Sequence, residues 1–264
     1  MPTSRKRPLH VGLILDTIED VTNPERSPRW SGMLARAQLA EAVGFDSLWV
    51  SDHLTHRFPG VPEYGIWECW SLVAALAAAT ERVEIAPSVL CTGFRNPALI
   101  AKMADTVDEI SNGRLILGLG AGWHEPEYTA FGFPFDNRIA RFEEAIQIIH
   151  GLLRTGHVDF HGRFYEAADC ELRPRGPRPS GPPILIGTIA GTALARRLGV
   201  PGTGERMLGL VARYADLWDV PSCNNPADVP HLRGMLARAC EKVGRDPATV
   251  QITVGVLVNI PGWQ

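Results

Sequence analysis

Seven short apolar runs recur along the chain. They begin near His10 (HVGLIL), Ser47 (SLWV), Val83 (VEIAPSVL), Arg114 (RLILGL), Pro183 (PILIG), Asp216 (DLWDV) and Thr249 (TVQITVGVLV). Their starts lie about 37, 36, 31, 69, 33 and 33 residues apart, and every gap but the fourth has the length of one strand-plus-helix unit. Helical patterns separate most of the runs, which specifies parallel strands covered by helices. Seven strands in this order, with no central reversal, fit an α/β barrel of the TIM (β/α)8 type rather than a doubly wound sheet.

The long gap holds an insertion after strand four. A helix is predicted over Asn137 to Leu153; VDFHGRFYEAA then reads as a hairpin turning at His161-Gly162, and RPRGPRPSGPP as a rigid extended connector, together about residues 155–183. Asn96-Pro97 opens another helix as N-cap and first residue, and Asn112-Gly113 closes it. The eighth strand is missing, so two parallel edges are left over and the C-terminus reads as truncated.

With 264 residues, 45% of them hydrophobic, the chain can bury a large core, and residues 1–264 read as a single domain. The 26 basic and 29 acidic residues leave a formal charge of −3 with no long run of either sign. Nucleic acid and anionic membrane are therefore poor partners, and a small molecule is the default. Cys69, Cys91, Cys170, Cys223 and Cys240 are odd in number and form no CxxC, as expected of reduced thiols in a cytoplasmic protein. The apolar run Val11 to Leu15 is too short for a signal segment, and nothing reaches membrane-spanning length.

Asp52-His53 follows strand two at the C-terminal mouth, where barrel enzymes place reactive groups. An imidazole there can exchange a proton with a substrate hydroxyl or carbonyl at neutral pH. The plainer reading makes Asp52 the cap of a following turn and His53 a solvated loop residue. After strand four come Gly118, Gly120 and Gly122, which let a ligand approach the backbone closely, and then Trp123. Their spacing is not the dinucleotide fingerprint, and no helix is expected immediately behind them. Gly187-Thr188 and Gly202-Thr203-Gly204 offer amides and hydroxyls to a phosphate, with Arg196 and Arg197 as added charge, although such pairs also occur in plain turns. His53, His56, His124, His157 and His161 invite a metal reading. Barrel metal sites draw ligands from several strand ends, commonly with His-x-His after strand one, where this chain has Leu15-Asp16; no metal is expected. Trp49, Trp67, Trp70, Phe131 and Phe133 read as core and pocket wall, since no basic stripe accompanies them.

Taken together, SLWVSDH (Ser47 to His53), PSVLCTGFRNPA (Pro87 to Ala98), RLILGLGAGWHEPEYTAFGFP (Arg114 to Pro134) and RMLGLVARYADLW (Arg206 to Trp218) resemble the bacterial-luciferase-like oxidoreductases. Within them the chain looks most like the branch using the 8-hydroxy-5-deazaflavin coenzyme F-420, and the resemblance runs from about Leu9 to the C-terminus. It implies that Asp52 and His53 lie beside the coenzyme ring, with His53 as acid or base. It also implies a non-prolyl cis peptide at Ser88-Val89, forming a bulge behind the ring. Thr92 would hydrogen-bond the coenzyme or cap its own loop. Gly120, Gly122 and Trp123 would follow the ribityl chain, and either Gly187 and Thr188 or Gly202, Thr203 and Gly204 would approach its phosphate. Two features depart from the pattern: relatives continue through a further helix and strand, and IAGTALARRLGVPGT intervenes after strand five. Trp123 replaces the acidic proton donor of the family's sugar-phosphate dehydrogenases, which argues against that role.

The expected function is hydride transfer between deazaflavin and a small organic substrate, in a chain that could act as a homodimer. The first alternative is a monooxygenase using reduced FMN, served by a separate flavin reductase. The second is a flavin-binding remnant without turnover.

Overall fold

The computed structural model describes residues 9–188, 204–221, 223 and 225–258. Its strands are β1 (Gly12–Ile14), β2 (Ser47–Val50), β3 (Thr55–His56), β4 (Tyr64–Gly65), β5 (Glu84–Pro87), β6 (Leu90–Cys91), β7 (Leu117–Gly120), β8 (His157–His161), β9 (Glu166–Glu171), β10 (Ile184–Gly187), β11 (Leu217–Val220) and β12 (Gln251–Val254). Its α-helices are α1 (Trp30–Val43), α2 (Cys69–Ala79), α3 (Pro97–Ile110), α4 (Glu125–Phe131), α5 (Arg138–Thr155), α6 (Gly204–Tyr214) and α7 (Val229–Glu241).

Parallel pairing runs β1-β2-β5 in one sheet and β6-β7-β10-β11-β12 in the other, and a bridge between Ile85 and Leu115 joins the two. The third strand is thus split in two. β5 follows β2, β6 follows β7, and the cis peptide Ser88–Val89 lies between them. Seven strand positions result. Among the described residues β1 and β12 do not pair with each other.

Alternate residues of the strands feed two apolar layers. Leu48, Val50, Ile85, Leu117, Leu119, Ile184, Ile186 and Trp218 face outward and pack with helix residues such as Ile100, Phe142, Ile149 and Val211. Ala86, Ile116 and Leu185 face inward, joined by Trp49, Val89 and Leu217. Burial on both faces is why the runs look continuously apolar in sequence.

A β-carbon on Gly118 would run into the Pro87 carbonyl oxygen, so the close approach of β5 and β7 depends on that glycine. Gly118→Ala is expected to destabilise the protein by about 1–3 kcal/mol through overpacking. Urea unfolding measures it, and an unchanged midpoint would show that the strand spacing can relax.

Helix ends follow the local signals. Asn96 accepts from the amides of Ala98 and Leu99 ahead of Pro97, and the chain leaves α3 through left-handed Asn112 and Gly113. Glu68 caps α2 by accepting from the amides of Trp70 and Ser71. Inside the insertion, β8 and β9 form an antiparallel hairpin whose tip is tied to α5. Glu144 accepts from the amides of Arg163, Phe164 and Tyr165 there. The proline-rich connector is bound to α3 by its arginines: Arg175 donates to Asp105 at 3.0 Å, and Arg178 donates to Asp108 at 2.9 Å through Nε. Among the described residues no helix is long and apolar enough to cross a membrane.

Candidate active site at the barrel mouth

The chain leaving β2 turns at Asp52 and His53, and the two residues have separate environments. Asp52 is buried. One carboxylate oxygen accepts from the Cys91 amide and from Arg95 Nη1, both at 2.7 Å; the other accepts from Arg95 Nη2 at 3.1 Å. Arg95 also donates to Glu68, at 2.5 Å. Burial alone would loosen the Arg95 proton, but the hydrogen bonds and charges of Asp52 and Glu68 outweigh it and push its pKa above the ordinary arginine value. Burial raises the Asp52 carboxyl, and Arg95 opposes the rise. Both oxygens of Asp52 are thus occupied, and proton transfer is left to His53. Asp52 is a positioning residue that ties the end of β2 to the loop after β6.

His53 is half-buried and points away from that ion pair. Its Nδ1 lies 2.9 Å from Glu127 Oε1, while Glu127 Oε2 accepts from the Leu54 amide at 2.9 Å. A carboxylate accepts, so the proton sits on Nδ1 and the ring presents Nε2 with its lone pair. No described residue hydrogen-bonds Nε2. This is the orientation a general base needs.

Glu127 is almost wholly buried and comes from α4, the short helix that begins at Glu125. A helix does therefore follow the glycine loop closely, contrary to expectation. The sequence reading passed over Glu127, although Glu125-Pro126 marks a helix start and an acid in the first turn suits its amide-rich end.

Rings crowd around His53. The His56 ring centroid is 4.4 Å away and that of Trp123 is 5.7 Å away, both edge-on, while Phe58 stacks on Trp123 at 6.2 Å. His56 Nδ1 meets the Tyr64 hydroxyl at 3.0 Å, and its Nε2 is buried without a hydrogen bond. Burial, and then the neighbouring His53 and His124, push the His56 pKa down to about 4, so this ring is a neutral wall element at physiological pH. His124 accepts from the Arg57 amide at 3.0 Å, and burial lowers its pKa as well.

The glycines serve the scaffold more directly than the reading implied. A β-carbon on Gly120 would meet Val89 Cγ2 at 2.6 Å, and one on Gly187 would meet both Val89 methyls at 2.9 Å. The missing side chains make room for Val89, which lies half-buried beside Ser88 over the inner layer. Gly122 takes φ +71° where a β-carbon would strike the Tyr128 hydroxyl. Thr92 donates to the Gly120 carbonyl at 3.2 Å, closing its own loop. Burial pushes the Cys91 thiol up to about 12, which leaves it inert as a nucleophile. Thr188 is buried at the end of β10, and its amide donates to the Asp219 carbonyl at 3.1 Å. Arg196, Arg197, Gly202 and Thr203 lie outside the described residues. His53, Trp123, Ser88, Val89, Gly187 and Thr188 thus all stand at the strands' C-terminal ends, whereas Asp52 and Thr92 are spent on holding the loops.

The family profile described as luciferase-like monooxygenase matches residues 10–260. An F420-dependent glucose-6-phosphate dehydrogenase of Amycolatopsis mediterranei is 40% identical over 171 residues, covering 62% of this chain and 49% of that protein. The pyrimidine monooxygenase RutA of Enterobacter cloacae is 31% identical over 236 residues, 85% of this chain and 60% of its own length. The chain therefore spans between about half and three fifths of these relatives. Among solved structures, an F420-dependent secondary alcohol dehydrogenase in complex with an F420-acetone adduct superposes with a TM-score of 0.74 at 20% identity, over 93% of this chain and 68% of that one. At that identity the likeness shows the fold.

Proposed function

The chain belongs to the luciferase-like monooxygenase family, and on that premise we propose that it is an oxidoreductase moving a hydride between a deazaflavin coenzyme and a small organic substrate. The observation that carries this reading is His53 at the mouth, with Nδ1 held by Glu127 and Nε2 unpaired. A proton acceptor prepared in this way is what hydride chemistry on a hydroxyl or carbonyl requires.

The residues at the mouth fit a flat heteroaromatic group. Val89 presents a half-buried apolar surface on the cluster of Ala86, Ile116 and Leu185, which Trp49 and Leu217 share; Ser88 adjoins it, and His53 and Trp123 follow the flanking strands β2 and β7. These residues would hold the ring, and Gly187 and Thr188 would lie towards its ribityl phosphate. When bound, a deazaflavin supplies a two-electron hydride donor or acceptor that reacts poorly with oxygen. His53 Nε2 takes the proton of a substrate hydroxyl as the hydride leaves the adjoining carbon, and returns it in the reverse direction. Glu127 keeps the imidazole in the competent tautomer and stabilises its charged form. Trp123, Phe58 and His56 would restrict water around His53.

Titration with oxidised and reduced deazaflavin and FMN, followed by fluorescence, is expected to show tighter binding of deazaflavin and no rapid oxygen uptake by the reduced complex. Tight binding of reduced FMN with fast oxygen consumption would replace this reading with the second one, a flavin-dependent monooxygenase fed by a reductase. The monooxygenase named among the relatives favours that alternative.

A further inference from the structure

Between β2 and α2 the chain doubles back as the hairpin β3–β4 and lays two rings beside the proton acceptor. His56 brings its ring to 4.4 Å from that of His53, and Phe58 stacks on Trp123. The hairpin is bound largely to itself. Thr55 Oγ1 donates to Glu63 at 2.9 Å, Arg57 donates to the same carboxylate through Nε at 2.9 Å and Nη2 at 3.0 Å, and His56 meets the Tyr64 hydroxyl. Its two ends are anchored. The Leu54 amide donates to Glu127, while the Gly65 amide donates to the Glu19 carboxylate and the Gly65 carbonyl accepts from the Glu19 amide. A self-tied unit on two anchored ends can open as one body.

Between these ends, one hydrogen bond crosses to the barrel among the described residues: the Arg57 amide donates to His124 Nε2 at 3.0 Å. An N–H donates only to an unprotonated ring nitrogen, so the bond requires a neutral imidazole with its proton on Nδ1. A proton on Nε2 would set two donors against each other and leave the amide unsatisfied. His53 behaves differently, because its Nδ1–H bond to Glu127 survives protonation of the ring.

The surroundings of His124 favour the neutral form. The residue is 4% exposed, and its ring centroid lies 4.9 Å from that of Phe58, 5.2 Å from Trp123 and 5.3 Å from His56. Burial is the largest influence and lowers its pKa; Glu127 on α4 opposes the fall, while His53 after β2 and Arg57 on the hairpin add to it. Glu63 is engaged by Arg57, and Glu125 next to His124 is exposed. The closed arrangement therefore takes up a proton less readily than a free histidine does. Its stability is complete well above the ordinary histidine value of 6.5 and is lost as the pH falls below it.

We propose that His124 is the latch of this hairpin: neutral, it holds residues 54–66 against the His53 side of the mouth, and protonated, it lets them open. The inference rests on the bonds of the hairpin and not on the identity of the coenzyme, so its failure would leave the oxidoreductase reading as it stands.

Hydrogen exchange of the coenzyme-free chain, read by mass spectrometry and corrected for the intrinsic effect of pH, tests the latch. In wild type, peptides spanning residues 54–66 are expected to exchange at least tenfold faster at about pH 5 than at about pH 7.5, while α3 keeps its protection. His124→Gln is expected to hold the exchange of the hairpin within threefold over the same range, because a glutamine oxygen accepts from the Arg57 amide and takes up no proton. His53 and Glu127 remain in that variant. His56, with its pKa near about 4, stays neutral at both pH values, and Glu63, held low by Thr55 and Arg57, stays charged. Equal exchange at the two pH values in wild type, an acceleration shared by α3, or the same acid acceleration in His124→Gln would each overturn the proposal. Should His124→Gln fail to fold, wild type alone decides. The midpoint of the exchange profile is expected to coincide with the titration of the His124 ring followed by NMR, and separate midpoints would overturn the latch.

Discussion

Replacing His53 by alanine is expected to lower turnover by about a hundredfold or more while coenzyme affinity stays within about tenfold, roughly 1.4 kcal/mol. The split follows from the geometry. The imidazole contributes one edge to a ring-lined wall shared by His56, Phe58 and Trp123, so its loss removes little contact area. Its Nε2, in contrast, is the proton-accepting atom left without a hydrogen bond among the described residues. Glu127→Gln should fall between wild type and His53→Ala. A glutamine oxygen can still accept from Nδ1, but it does not stabilise an imidazolium, so the base is weakened and not removed. Turnover of His53→Ala equal to wild type would reject the assignment, and equal turnover for wild type and Glu127→Gln would reject the dyad.

The barrel scaffold was legible in the sequence because it is built from local rules. Apolar runs at one-unit spacing give strands, Asn96-Pro97 and Asn112-Gly113 bound α3, and His161-Gly162 sits at the turn of the β8–β9 hairpin. The cis Ser88–Val89 bond came from the resemblance rather than from any local preference. The side-chain partnerships of the mouth were hidden. Arg95, Glu68 and Asp52 are 27 and 43 residues apart in their pairings, and His53 and Glu127 are 74 apart, so nothing in a short window links them. The partner of Asp52 was hidden for the same reason: in sequence it is the neighbour of His53, and only the fold shows that Arg95 engages it. Gly120 and Gly187 looked like ligand contacts because a bare backbone serves a coenzyme and a packed valine equally well.

Arg95→Ala is expected to be the most destabilising single change around the mouth, at about 3–5 kcal/mol, because it strands the buried Asp52 carboxylate. Arg95 and Asp52 have side chains only 12% and 0% exposed, so water cannot replace the lost guanidinium without opening the structure. Glu68 loses its partner too, but at 42% exposure it rehydrates, and its caps on Trp70 and Ser71 remain. For a domain of this size the loss corresponds to a fall in Tm of roughly 6–20 °C. The penalty belongs to the orphaned charge more than to the pair, which a double substitution can separate. Arg95→Met with Asp52→Leu removes both charges and keeps the volume, and it should recover much of the stability lost by Arg95→Ala. It should not recover function. The Cys91 amide bonds to Asp52 at 2.7 Å, and this bond sets the loop that follows the Ser88–Val89 bulge and ends at the Thr92 contact to Gly120. A double variant of near wild-type Tm with coenzyme affinity reduced tenfold or more would identify the ion pair as a device for shaping the mouth. Equal stability of Arg95→Ala and wild type in thermal unfolding would mean that Asp52 finds water or another donor, and the pair would then have no role in holding β2 to the following strand.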